Sequence, residues 1–404
     1  MKLSVIGLGK LGFTMATVFA ERGFSVIGYD KNQKLIKNLS KGIIDFKEKN
    51  LDELFKKNKK KIILKNKIDN EIQNTDIIFI IVPTPSKRDH SYESKYIKQV
   101  LKSISPYIKN KKIVLTSTVS VGTCSNELIP FLEKNSKLKE GINFKFYYSP
   151  EFIALGNIIE NYLKPEIVLI GKNRKNDRVI EKFYSKICKN KPYFSSCSIE
   201  SAEITKIAIN SFQTYRITFM NLLSLLSINS KGSKITEVRT SIMKFFENKN
   251  LNYPGVSYGG PCLPRDNRAL TFEFYKKNIQ TDLFSSIDKS NNLVLSDLIK
   301  QINSKKNKFK KIVFIGLSFK ENTNDISESP TVKIINHLNK KNIEVYDKLI
   351  NNYKQIKFKF KPKKINKLGD IYSSKNKLIV IMHRTVDINF NKIHNSNYVI
   401  NPWK

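Results

Sequence analysis

Cysteine is scarce in this chain: Cys124, Cys188, Cys197 and Cys262 are the four in 404 residues. They are too few and too scattered for a stapled secreted scaffold, so a reducing compartment is the better fit. No apolar run reaches the length of a membrane span. The N-terminus runs straight into a strand-and-glycine pattern, with no separate apolar stretch and small-residue cleavage site. A soluble cytoplasmic protein is expected. Histidine is also sparse: His90, His337, His383 and His394 are dispersed and match no triad pattern. Cys188 and Cys197 lie nine apart without a matching histidine pair, so no metal site is expected. Acidic residues number 35 against 72 basic ones, a net charge of +37. On its face that suggests nucleic acid or an acidic membrane surface. Arginine, however, supplies nine of those 72 residues, and bidentate reading of phosphates or guanine edges favours arginine. The lysine clusters at Lys56–Lys61 and Lys359–Lys364 read as solvated loops or helix faces. Nucleic-acid binding is therefore disfavoured, although the charge can enrich an anionic small substrate near the surface.

What is present is a globular composition, 40% hydrophobic and 11% aromatic, in a chain long enough for two or three domains. Residues 2 to 6 form a short apolar run. Gly7, Gly9 and Gly12 follow, then Met15, Val18 and Phe19 at helical spacing. This predicts strand, tight turn and helix. A second apolar run, Phe24 to Tyr29, ends in Asp30 and completes a βαβ unit. Further buried strands are expected at Ile77 to Val82, Ile113 to Thr116 and Ile167 to Ile170, giving an α/β N-terminal domain of Rossmann type with a mostly parallel sheet, over residues 1–196. From Ser198 to about Ile228, Ile204, Ile207, Ala208, Phe212, Ile217, Met220, Leu223 and Leu226 recur mostly at three- and four-residue steps, without Pro or Gly. That predicts one long helix needing burial on more than one side, in a central helical domain over 197–300. The Gly- and Pro-rich segment from Tyr253 to Cys262 interrupts it, as functional loops often do. A fresh pattern at Lys311 to Gly316, Ile343 to Tyr346 and Leu378 to Met382 predicts a smaller Rossmann-like α/β domain over 301–404.

The three glycines have separate tasks: Gly7 makes the tight turn, Gly9 leaves room for a pyrophosphate, and Gly12 lets helix pack on strand. The helix N-terminus then offers free N–H groups to phosphates. Asp30 can accept hydrogen bonds from an adenosine ribose and would repel a 2′-phosphate, which favours NAD over NADP. Cys262 sits in Gly259-Gly260-Pro261-Cys262-Leu263-Pro264-Arg265-Asp266, where small residues let a ligand approach and a neighbouring cation favours thiolate. The same cysteine alone would read as a small packing residue. Glu203, Lys206 and Asn210 fall on one helical face; spacing alone also fits a Glu203–Lys206 ion pair on the helix surface.

These motifs in order, GLGKLG, Val82-Pro83-Thr84-Pro85, Ser117-Thr118-Val119 with Gly122-Thr123, Ser149-Pro150-Glu151-Phe152, Ala202 to Lys206 with Asn210, the Cys262 segment, and Gly316 to Lys320 with Glu328-Ser329-Pro330, resemble the UDP-glucose/GDP-mannose dehydrogenase family over nearly the whole chain. The resemblance implies two successive NAD-linked oxidations of a nucleotide sugar at a primary alcohol, giving a uronic acid. It implies Cys262 as the nucleophile that forms a thiohemiacetal and then a thioester. It also implies that Lys206 and Asn210 stabilise the alkoxide-like oxygen, that Asp266 acts with water as acid or base, and that Glu151 and Thr118 serve the hydrolytic water. By the same resemblance Gly7, Gly9, Gly12, Asp30, Pro83, Thr84 and Thr118 bind NAD. Glu151, Phe152, Lys206, Asn210, Tyr258, Gly259 and Lys320 meet the nucleotide sugar, and two copies pair through the long helix as a homodimer.

Several departures concern recognition rather than bond chemistry. Leu155 stands where the family commonly has a glutamate, Ser327 where it has an arginine, and Arg265 where it has a lysine; no arginine lies between Arg239 and Arg265. UDP-glucose is the leading substrate, with GDP-mannose or a UDP-N-acetylhexosamine as alternatives. Two other readings stay open, a single-step NAD-linked β-hydroxyacid dehydrogenase with no use for Cys262, and a non-catalytic NAD- or nucleic-acid-binding protein.

Overall fold

The computed structural model describes residues 1–404 except 175, 248–250, 339–341, 351, 354–355, 385–387 and 404. The chain forms two compact units, Met1–Ile207 and Ala208–Lys404.

The first unit is built on eight strands: β1 (Lys2–Ile6), β2 (Ser25–Tyr29), β3 (Ile62–Lys65), β4 (Ile77–Ile80), β5 (Lys112–Leu115), β6 (Lys145–Tyr148), β7 (Ile167–Lys172) and β8 (Tyr193–Cys197). Their order across the sheet is β3-β2-β1-β4-β5-β6-β7-β8. Every neighbouring pair is parallel except β6 with β7. Helices cover both faces, which is why the central strands read as continuous apolar runs. Strand β4 shows the division: Ile77 and Phe79 join one core with Leu3, Val5 and Phe19, while Ile78 and Ile80 join the other with Ile97 and Leu101. The strand order reverses at β1, between β2 and β4. In open α/β sheets ligands bind outside the carboxyl ends of the strands at such a point.

The 30-residue helix Ile199–Ile228 begins in the first unit and continues in the second. There it is followed by helices Ile235–Phe245, Leu263–Lys276 and Leu283–Lys305. A fully parallel five-stranded sheet closes the unit: β9 (Lys311–Ile315), β10 (Ile343–Tyr346), β11 (Lys363–Ile365), β12 (Lys377–Ile381) and β13 (Tyr398–Ile400), in the order β11-β10-β9-β12-β13. Phe314 and Val380 face Leu298 and Ile302 of one helix and Ile334 of helix Pro330–Leu338, while Val313, Ile315 and Ile379 pack on the opposite face. Among the described residues, no helix is long and apolar enough to cross a membrane.

Candidate active site

In the first unit, the turn after β1 is shaped by its glycines. Gly7 has φ +97°, and a Cβ there would fall 2.2 Å from the Ile81 carbonyl oxygen. A Cβ on Gly12 would meet the Gly7 oxygen at 1.8 Å, so helix Lys10–Glu21 can seat on the turn only without one. Gly9, the N-cap, has nothing within 4 Å of the same position. An open N-terminus at the switch point, bare of side chain, fits a pyrophosphate. Asp30 fixes the loop from the adjacent strand end: its carboxylate accepts the Leu8 N–H at 2.8 Å and the Asn32 N–H at 2.8 Å. Beside it, Ser117 Oγ accepts the Val82 N–H and donates to the Val82 carbonyl, tying the ends of β4 and β5. This sets exposed Pro83 and buried Thr84 next to half-buried Thr118.

Past β6, Glu151 and Phe152 meet Lys206. The Lys206 ammonium is buried, donates to the Glu151 carbonyl at 2.8 Å and lies 4.8 Å from the Phe152 ring centre. Burial raises the Glu151 carboxyl, against the lowering by a hydrogen bond from Tyr184 and by the Lys206 charge, and leaves it at about 7. Glu203 is not on the helix surface. It is buried, and its carboxylate accepts the backbone N–H groups of Gly122 and Cys124 at 2.5 and 2.8 Å. Burial and that carboxylate push the Cys124 thiol well up, so the residue is ordinary packing material.

In the second unit, Cys262 is exposed and occupies the N-cap position of helix Leu263–Lys276. One turn on, Asp266 is fully buried; it accepts Asn210 Nδ2 at 2.5 Å and Arg265 Nε at 3.2 Å. The loop leading to Cys262 is held along its length. Asn221 accepts the Gly255 N–H and donates to the Val256 carbonyl, and the Trp403 ring covers Gly255. Trp403 Nε1 in turn donates to the Ile381 carbonyl at the end of β12. Asn291 accepts the Tyr258 N–H and donates to its carbonyl, and the Tyr258 hydroxyl donates to Asp288. Gly259 lies against the Glu328 backbone, while Gly260 lies against the Phe319 ring and donates its N–H to Ser327. Lys320 stands beside that ring, at 5.8 Å.

The residues singled out by sequence thus form two sets. Gly7, Gly9, Gly12, Asp30, Pro83, Thr84, Thr118, Glu151, Phe152 and Lys206 belong to the first unit, and Asn210, Tyr258, Gly259, Cys262, Asp266 and Lys320 to the second. Among the described residues no group of three or more His, Cys, Asp or Glu side chains could hold a metal ion.

Three models of the UDP-glucose/GDP-mannose dehydrogenase family match in order: its NAD-binding domain over residues 1–188, its central domain over 200–293 and its UDP-binding domain over 313–399. The chain belongs to this family. Its cofactor is NAD and its class is nucleotide-sugar 6-dehydrogenase. Curated relatives include a GDP-mannose 6-dehydrogenase of Pseudomonas savastanoi pv. phaseolicola, 30% identical over 83% of this chain and 77% of the relative. A UDP-glucose 6-dehydrogenase of Rickettsia felis is 29% identical over 85% and 77%. Among solved structures, a UDP-glucose dehydrogenase from Pyrobaculum islandicum shares the fold at TM-score 0.85 and 21% identity, covering 100% of this chain and 94% of that one.

Residues that sequence reasoning missed in this dehydrogenase are Asn221, Arg268, Asp288, Asn291, Trp403 and Tyr184. Arg268 links Asp288 and Glu328 at 3.5 and 3.6 Å, so the aspartate that holds Tyr258 and the segment after β9 share one ionic network. Asn291 left a usable signal: it is a polar residue in the apolar stripe Ile287, Val294 and Leu298.

Proposed function

We propose that the protein oxidises a nucleotide sugar, UDP-glucose foremost, twice at C6 to the uronic acid, through a thiohemiacetal and a thioester on Cys262. The observation that carries this reading is an exposed cysteine at a helix N-terminus, one turn from a buried aspartate bonded to Asn210. NAD, when bound, would supply the hydride acceptor, one molecule for each oxidation, with NADH exchanged for fresh NAD between them. The backbone N–H groups past Gly9 and the Asp30 carboxylate hold and orient it. The first oxidation removes a proton and a hydride from the primary alcohol. The Cys262 thiolate then adds to the aldehyde carbon, and loss of a second hydride leaves the thioester. Lys206 and Asn210 hold the negative oxygen at each stage. Glu151, with Thr118 orienting the water, takes a proton as that water attacks the thioester, which returns the thiolate and releases the carboxylate; Asp266 moves protons at the alcohol. Phe152, Tyr258, Gly259 and Lys320 border the nucleotide sugar.

The same reading pairs two copies through the long helix. Phe212, Tyr215 and Phe219 are exposed there and stack in a row at 6.1 and 6.0 Å, an apolar stripe that a second copy would cover.

NADH counted per sugar across UDP-glucose, GDP-mannose and UDP-N-acetylhexosamines tests the reaction. Two per molecule, with Cys262→Ser losing acid formation, is the expected result. One per molecule and a fully active Cys262→Ser would favour a single-step dehydrogenase. No NADH from any sugar would overturn the reading.

A further inference from the structure

Glu151 is gripped at both ends. Lys206 takes its carbonyl, and the Tyr184 hydroxyl donates to Oε1 of its carboxylate at 3.2 Å. Tyr184 sits on helix Val179–Ile187, buried in the larger core of the first unit. Its other neighbour is Ser149 Oγ at 3.4 Å, but the serine has a nearer acceptor in the Leu169 carbonyl at 2.9 Å. In both contacts the serine is the donor, and the tyrosine's own proton goes to the carboxylate. The other ionisable groups around Glu151 are Lys206, Tyr162 of helix Ile158–Leu163, and Cys188, which follows the tyrosine's own helix and feels Arg22. The Tyr162 hydroxyl is buried and makes no hydrogen bond among the described residues. Tyr184 is the one of these that hydrogen-bonds the carboxylate.

We propose that Tyr184 is a positioning residue for Glu151: its hydrogen bond aims the carboxylate and favours the ionised form a general base requires. The inference rests on the base role given to Glu151 above. The physical reason is that burial opposes the charged form, and a donor fixed beside it stabilises that form more than the neutral one. The hydroxyl does no chemistry itself.

Tyr184→Phe keeps the ring in the core and removes the donor. In the resting protein, a carboxyl titration followed by ¹³C NMR on labelled glutamate, assigned with Glu151→Gln, should show the Glu151 midpoint about one pH unit higher, the scale set by one hydrogen bond to a charged group. The acid limb of uronic-acid release should move up by the same amount, because the base must be ionised to act. The KM for NAD should stay unchanged. Placing 3-fluorotyrosine at 184, a stronger donor of nearly the same shape, should move the midpoint down, and it serves if the phenylalanine variant folds poorly. An unmoved midpoint in both variants, or a uniform loss of kcat with an unshifted pH profile, would overturn the proposal. The titration needs no turnover, so it judges the Tyr184 contact separately; a wild-type enzyme that releases no acid would instead remove the base role of Glu151.

Discussion

The turns after β1 and after β9 begin alike and end differently. In each, a glycine of positive φ leaves the strand, Gly7 at +97° and Gly316 at +105°. Each donates its N–H to the tyrosine ending the neighbouring strand, Tyr29 or Tyr346, at 2.8 Å. In each, the following leucine N–H, from Leu8 or Leu317, goes to the next aspartate, Asp30 or Asp347, at 2.8 Å. Beyond that lock the chains diverge. The first turn continues with Gly9 and Gly12 and enters its helix at once, leaving the space beside Gly9 open. The second has Ser318 and Glu321 at the corresponding steps, and its helix waits until Pro330. Its gap is closed: the His383 ring lies against Gly316 and approaches Ser318, whose own backbone N–H is taken by Asp347. One shared lock therefore builds the bend, and the residues after it decide whether backbone donors remain available to a phosphate.

Substitutions can break or sharpen this contrast. The largest effect is expected for Gly12→Ala, whose Cβ would overlap the Gly7 oxygen. It should cost about 3 kcal/mol, the upper part of the overpacking range, and abolish NAD saturation, read by denaturant unfolding and NAD titration. Asp347→Ala comes next. It leaves the Leu317, Ser318, Leu349 and Ile350 N–H groups without their acceptor, for about 2 to 3 kcal/mol of stability. NAD affinity should not change, and a parallel loss of NAD binding would refute the separation of the two turns. Gly9→Ala should leave stability within about 1 kcal/mol, since nothing crowds the site, yet weaken NAD about tenfold, or about 1.4 kcal/mol. Unchanged binding would show that no phosphate approaches there. Smallest is Asp30→Asn. The amide oxygen can keep the Leu8 contact, so NAD should weaken about threefold, while discrimination against NADP shrinks as the repelling charge is lost.

What the sequence made legible follows from burial. Strands β1, β2, β4, β5, β7, β9 and β12 are mostly apolar because both faces are covered, and β10 differs from them by Glu344, which Lys311 and Lys377 pair. The four edge strands β3, β8, β11 and β13 went unread because they are half exposed and carry Lys, Ser or only three residues. The interior strand β6 also went unread: it is four residues long and opens with Lys145. The long helix was readable from spacing, but the fate of Glu203 and Lys206 was not. Three residues apart, they suit a surface pair, whereas their partners come from residues about eighty and fifty-five positions away. Separations of 33 and 34 positions likewise hid Tyr184 behind Glu151 and Asn221 behind Gly255. The glycine turn and the surroundings of Cys262 were legible because their logic is local.

Trp403 is the chain's single tryptophan, and it rests on Gly255 with its indole N–H bound to a strand-end carbonyl. The chain thus carries an intrinsic fluorophore in contact with the segment that delivers Cys262. Emission excited at the red edge of protein absorption comes from that one ring. Any rearrangement of the segment when a sugar arrives changes the polarity around the indole, so the protein can be followed through its cycle without a dye.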